Sequence, residues 1–334
     1  METLTFLQTS WFALIGALLA GYALLDGFDL GAGSLLPFLA ADDEEKLVVF
    51  NSIWPFWDGN EVWLVTGGAA LFAAFPHAYA TVFSGFYLAF MLVLFALIFR
   101  AVSMEFWYYD EKRRGLWSAA FVAGSLLPSL LYGVALGNVM VGIPLAESME
   151  FTGNFFTLLR PYPLAIGLLG LFAILLQGVT YIAMKTDGAV QNRARSIFGR
   201  VWGLFIAAMA LSFAATIVYM PESLSNPLVW ISAAVSIAAW LLCRLFASGG
   251  KTGLSFAMSS LALLGLWGIV GATQFPNLVR ATGNASLNIT LYNASSSEKT
   301  LWVMLYIALI GMPIVIFYTF YVYRIFRGKV MITK

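Results

Sequence analysis

The sequence predicts an all-α, polytopic membrane protein of nine transmembrane helices, with its N-terminus outside and its C-terminus inside. Three observations predict this. Of 334 residues, 61% are hydrophobic and only 10% charged, where a soluble domain carries about 25% charged residues. The apolar residues gather into runs of about 20, the length that crosses a bilayer as a helix. The basic residues then fall almost wholly on one side of the resulting set. Nowhere does the ten-residue alternation of a transmembrane β-barrel occur.

The opening METLTFLQTS has no basic leader region, and no small-residue cleavage site follows it. The first run, 9–27, is therefore kept as a span rather than as a signal peptide. The second and third runs, 48–75 and 79–103, are parted by Pro76. The fourth, 116–136, contains Pro128, which should kink it. Runs at 161–184, 199–220, 227–247 and 253–274 follow, the sixth closed by Pro221, and the ninth is 301–325. Trp57 to Pro76 and Trp202 to Pro221 have the same spacing, and each pair ends an apolar run on proline. That echo hints at two four-helix units plus one helix. The expected units are a first four-helix bundle at 1–136 and an outer connecting loop at 137–160. A second bundle follows at 161–274, then an outer polar loop at 275–300, then the ninth helix with a cytoplasmic tail at 301–334.

Basic residues orient the set. With the N-terminus outside, the inner segments hold Lys46, Lys112, Arg113, Arg114, Lys185, Arg193, Arg195, Arg200, Arg244, Lys251, Arg324, Arg327, Lys329 and Lys334. The outer segments hold Arg160, Arg280 and Lys299, and Arg100 is embedded near the inner end of the third run. One span more or fewer would scramble this division, so it supports the odd count.

Composition also excludes. The net charge of +1 says nothing about nucleic acid; as a membrane protein of this class, the chain is expected to have no nucleic-acid partner. A lone Cys243 rules out an internal disulfide, and with a single histidine it rules out a Cys/His metal cage within the chain. A haem–copper core needs several histidines and a four-helix di-haem cytochrome needs four, so any redox metals must sit in a partner subunit.

The chemistry gathers in WDGNEVW, residues 57–63. Asp58 and Glu61 are one turn apart and share a helix face, while Trp63 points about 140° around from Asp58. On a continuous helix Asp58 lies roughly 15 Å beyond Leu47. The first run ends in LDGFDLG, with Asp26 and Asp29 three apart, and the third delivers Arg100 to the same inner side. Charged groups inside a membrane face a bundle interior or a watery cavity and pair with one another. Arg100 is the expected counter-charge of the 58–61 acids, Asp58 first. Two readings stay open: a buried ion pair that only fixes packing, or a proton or cation route entered from the cytoplasm. Other features are weaker. GFDLG (27–31) contains a GxxxG, which most often serves close helix packing. His77 in FPHAY is a lone interfacial histidine, and Asn284, Asn288 and Asn293 begin N-x-S/T sequons in a polar outer loop.

The stretches LLDGFDLGAG (24–33), NSIWPFWDGNEVWLVTGGAALFAAFP (51–76), SGFYLAFMLVLFALIFR (84–100), FTGNFF (151–156) and NASLNITLYNASSS (284–297) together resemble subunit II of the cytochrome bd family, bacterial quinol:O2 oxidoreductases. The resemblance runs along nearly the whole chain in family order. It implies nine helices as two four-helix bundles plus one, in the bacterial cytoplasmic membrane. It further implies a heterodimer with a subunit I that carries the b and d haems and the quinol site, this chain binding none. By motif position it implies that Asp58 lies on a cytoplasmic proton route with Asp26, Asp29 and Arg100 along or beside it. The position of Trp63 stands, in some members, at the mouth of a lipid-side oxygen tunnel. Glu61 departs from members with Gln there, which leaves its role open. Room remains for a structural quinone or lipid and for a small single-span subunit. Two competing readings are a proton-coupled transporter, which would place midplane acids in both halves, and a purely structural scaffold of the oxidase. The buried carboxylates fall in the first half alone.

Overall fold

A computed structural model describes residues 2–331; Lys334, counted above among the inner charges, lies outside them. The described residues fold as twelve α-helices with short 3-10 turns and one small two-stranded ladder. In order, the helices are α1 (Glu2–Ser34), α2 (Leu36–Leu39), α3 (Asp43–Ile53), α4 (Trp57–Ala74), α5 (Pro76–Gly85) and α6 (Tyr87–Tyr109). They continue with α7 (Arg114–Val141), α8 (Pro161–Lys185), α9 (Gly188–Tyr219), α10 (Pro227–Ser248), α11 (Thr252–Gln274) and α12 (Glu298–Ile325). Among the described residues eight of these are long and apolar enough to cross a membrane: α1 and α6 to α12. The protein is a multi-pass membrane protein.

The second expected run is where the structure departs from the sequence reading. Residues 48–75 are not one helix. Pro55 has no N–H to donate and its ring crowds the preceding turn, so α3 ends at Ile53, residues 54–56 form a turn, and α4 begins afresh at Trp57. The depth assigned to Asp58 by counting along an unbroken helix therefore does not hold. Asp58 instead sits in the first turn of α4, where free backbone N–H groups and the helix dipole favour a carboxylate. With its polar opening turns, the 18-residue α4 falls outside the eight. The Trp-to-Pro echo survives at its proline end, since α4 and α9 each stop two residues before the proline. It fails at the other end: Trp57 opens its helix and Trp202 lies inside α9.

The most buried helix is α8, which packs against α1, α7, α9 and α11. Its crossing with α1 is backbone against backbone: a Cβ added at Gly31 would stand 2.9 Å from the Cα of Gly178. The GxxxG of 27–31 thus serves close packing, through Gly31. At its C-terminal end α1 is buried without a break from Asp26 to Ser34. A seam of Asn60, Gly67 and Ala74, seven residues apart, is the buried edge of α4, which packs on α1. Peripheral α12 has Leu301 as its sole buried residue among those described.

At the end of the bundle where α11 stops and α12 starts, β1 (Asn277–Val279) and β2 (Ile289–Thr290) pair antiparallel. Val279, Ile289 and Leu291 pack with Leu7, Trp11 and Phe75. The sequon asparagines shape this cap. Asn284 accepts from Ser286 N at 3.0 Å, Asn288 from Ala281 N at 2.8 Å, and Asn293 from Thr290 N at 2.8 Å. Short polar side chains that bond nearby backbone build turns, which accounts for their density here.

Candidate functional site

Three helices converge on one buried cluster. The last turns of α1 supply Asp26 and Asp29, the first turns of α4 supply Asn60 and Glu61, and α6 supplies Arg100. Close approach draws Arg100 inward, because a Cβ at Gly124 of α7 would lie 2.8 Å from the Arg100 backbone nitrogen. The Arg100 guanidinium donates to Asp26 through both terminal nitrogens, at 2.8 Å to Oδ1 and 3.2 Å to Oδ2. The same fork reaches Glu61 Oε1 at 3.3 Å. Side-chain exposure is 0% for Arg100 and Asp26 and 26% for Glu61.

Asp29 lies one turn beyond Asp26 and is held differently. Asn60 Nδ2 donates to Asp29 Oδ2 at 2.8 Å and to the Leu25 carbonyl at 3.1 Å. Tyr323 of α12 donates its hydroxyl to Asn60 Oδ1 at 3.1 Å. Asp29 Oδ1 is buried with no hydrogen-bond partner among the described residues. Tyr22, one turn before Asp26, donates to the Tyr132 hydroxyl at 3.0 Å. Two carboxyl groups, Asp26 and Glu61, thus share one guanidinium, and a third, Asp29, lies one turn further along α1 and is held by Asn60 instead. Buried charge without a partner is costly, so a cluster with surplus carboxyls is a place where protons can be taken up and released.

The expected pairing of Arg100 with Asp58 is corrected. Arg100 meets Asp26 and Glu61, and the Asp58 side chain is exposed. Although Asp58 shares a face with Glu61, it precedes the point at which α4 comes under cover of α1. The acids accordingly form a graded line, with Asp58 exposed, Glu61 partly covered and Asp26 fully enclosed. Trp63 is half-buried with its ring against Gly21 of α1, and its Nε1 is buried without a hydrogen-bond partner among the described residues.

Asn60, Tyr323, Tyr22 and Tyr132 were not singled out from the sequence. Asn60 had a signal, since it stands between the two acids in WDGNE; Tyr323 had none, being 263 residues away from the Asn60 it binds.

The chain has a single histidine and a single cysteine, and they lie on different helices. His77 is exposed on α5, and Cys243 on α10 is buried 3.4 Å from Ser255 Oγ. Apart from the acid cluster, an apolar cavity of about 1620 Å³ opens among the helices, with Phe12, Tyr22, Phe90, Tyr132, Trp267 and Gln274 in its lining.

These features define a multi-pass helical membrane protein with a buried arginine–carboxylate cluster. The family described as cytochrome bd terminal oxidase subunit II matches residues 7–326, and the chain belongs to it. It is 34% identical over 360 residues to cytochrome bd-I ubiquinol oxidase subunit 2 of Escherichia coli K12, covering 97% of this chain and 95% of that one. It is 32% identical over 328 residues to cytochrome bd ubiquinol oxidase subunit 2 of Bacillus subtilis 168, covering 97% of each. Its fold is similar to a chain in the structure of bd oxidase from Geobacillus thermodenitrificans, with a TM-score of 0.82 and 17% identity. That match covers 96% of this chain and 98% of the other. The chain is one subunit of an oxidase complex.

Proposed function

We propose that this chain is the haem-free subunit of a heterodimeric quinol:O2 oxidoreductase in the bacterial cytoplasmic membrane, and that it supplies protons from the cytoplasm for reduction of oxygen to water. Subunit I, in this reading, carries the haems and the quinol site, and α4 crosses the membrane as the ninth span. The observation that carries the proton route is the graded burial from Asp58 through Glu61 to the Arg100–Asp26 pair. Asp58 collects protons at the exposed end, Glu61 passes them inward, and Asp29, with one unpaired oxygen, holds one for the partner. Arg100 keeps the line from accumulating negative charge. Trp63 borders an oxygen path in the same reading, and the apolar cavity takes a structural quinone or lipid, whose chain its size and character suit.

One observation favours a second reading, the structural scaffold. The Asp26–Arg100 pair is enclosed on both sides, as a packing device would be. Asp58→Asn separates the two, since it keeps shape and removes the titratable proton. The expected result is slower oxygen reduction by the assembled complex with its haem spectrum unchanged. Wild-type turnover per haem would return the acids to packing.

A further inference from the structure

The reading of Asp29 as a proton-holding carboxyl raises the question of what fixes its orientation. Asn60 uses its amide nitrogen on Asp29 Oδ2 and on the Leu25 carbonyl, and its amide oxygen on Tyr323. An amide does not relay protons, so this contact is not a wire. It is a brace, which occupies Oδ2 and leaves Oδ1 as the atom that can take a proton.

Tyr323 is itself held from the inner side. Its ring stacks on Phe56 at 4.4 Å and meets Phe28 edge-on at 6.4 Å. One turn further, the Phe326 carbonyl accepts from the Lys185 ammonium, which lies 5.3 Å over the Phe56 ring. Lys185 is 8% exposed and has no carboxylate partner among the described residues. Beyond α12 the chain turns back onto the α8–α9 junction: Val330 N donates to the Lys185 carbonyl at 2.8 Å, and Asp187 N to the Val330 carbonyl at 3.2 Å. Lys329 adds an ion pair with Asp187 at 3.5 Å. Because α12 buries little along its length, these contacts add to the ring packing of Tyr323 in holding its C-terminal end. A cation on the last carbonyls of a helix is favourable in itself.

We propose that Tyr323 is a positioning residue for Asp29, acting through Asn60, and that the clamp of Lys185 and residues 326–331 on the α8–α9 junction sets Tyr323. The proposal rests on the proton-route reading of the acid cluster. The charged and titratable groups whose fields reach Asp29 are Asp26, Glu61, Arg100, Tyr181 and Tyr323. Any change in its position is therefore read in the pH profile of turnover.

The test uses the whole complex, with turnover counted per haem so that yield does not enter. Tyr323→Phe keeps the ring contacts and removes the hydroxyl. It should lower turnover on the order of fivefold, the factor a single neutral hydrogen bond commands. It should also displace the midpoint of the pH profile while the haem spectrum stays as in wild type. Lys185→Met should do the same, and the double variant should be no worse than either single, because both act on one contact. Asp29→Asn is the control. If Asp29→Asn is slow while Tyr323→Phe keeps the wild-type profile, the brace is overturned and the proton route stands. If Asp29→Asn itself turns over normally, the proton route falls and takes the brace with it. Additive losses in the double variant would overturn the clamp.

Discussion

Arg100 donates to both carboxylate oxygens of Asp26, at 2.8 and 3.2 Å, with both side chains fully withdrawn from solvent. The pair ties α6 to α1 across 74 residues of chain. A planar, bidentate fork is the strongest geometry available to an ion pair, and arginine suits it because it stays charged when buried.

Arg100→Leu leaves the Asp26 carboxyl enclosed without its partner, a defect of about 3–5 kcal/mol. Yield of the assembled complex should fall, and adding Asp26→Asn should restore part of it. Adding Asp58→Asn to Arg100→Leu should not, since Arg100 does not touch Asp58. Yields of the singles and doubles measure the coupling; equal rescue by the two asparagines would contradict the pairing described here.

The crossing of α1 and α8 makes a sharper stability prediction. Gly31→Val forces side-chain atoms onto the backbone around Gly178, and overpacking of this kind costs about 1–3 kcal/mol or more. The thermal midpoint of the purified complex should drop. On the same helix, a Cβ at Gly16 meets nothing within 4 Å, so Gly16→Ala should be neutral or stabilise by up to about 1 kcal/mol. A comparable drop in both variants would mean that crowding at Gly31 is not the cause.

At the start of α3, hydrogen bonding from Lys46, with further help from Arg114, holds the Asp43 carboxyl below its usual range. A carboxyl lowered in the folded state contributes stability above its unfolded pKa and loses it as pH falls through the folded value. Asp43 is 44% exposed at its side chain, so solvent screening keeps the contribution below about 1 kcal/mol. Asp43→Asn should lower thermal stability slightly at neutral pH and make no difference well below the ordinary carboxylate range. A constant difference across that range would mean that the charge is not what matters.

Much of the protein is legible in its sequence. The helical membrane class follows from runs of apolar residues, because a bilayer accepts a lone crossing segment only when its backbone bonds are satisfied internally. Asp26, Asp29, Glu61 and Arg100 are legible as a group for a related reason: charge in a membrane is so costly that its mere presence marks a site. Both inferences depend on local composition, which needs no knowledge of neighbours.

The tertiary structure decided who meets whom. Arg100 had several acids within plausible reach, and the choice of Asp26 and Glu61 over Asp58 depends on where α4 begins. That in turn depends on Pro55 breaking the helix two residues before Trp57. Tyr323 is an ordinary aromatic in an apolar helix until the inner end of α12 is pinned beside Asn60, at a separation of 263 residues. Periodicity and hydropathy report what a segment is in its own surroundings. The partners of a buried polar group are fixed by the packing of helices distant in sequence, and no local pattern encodes that.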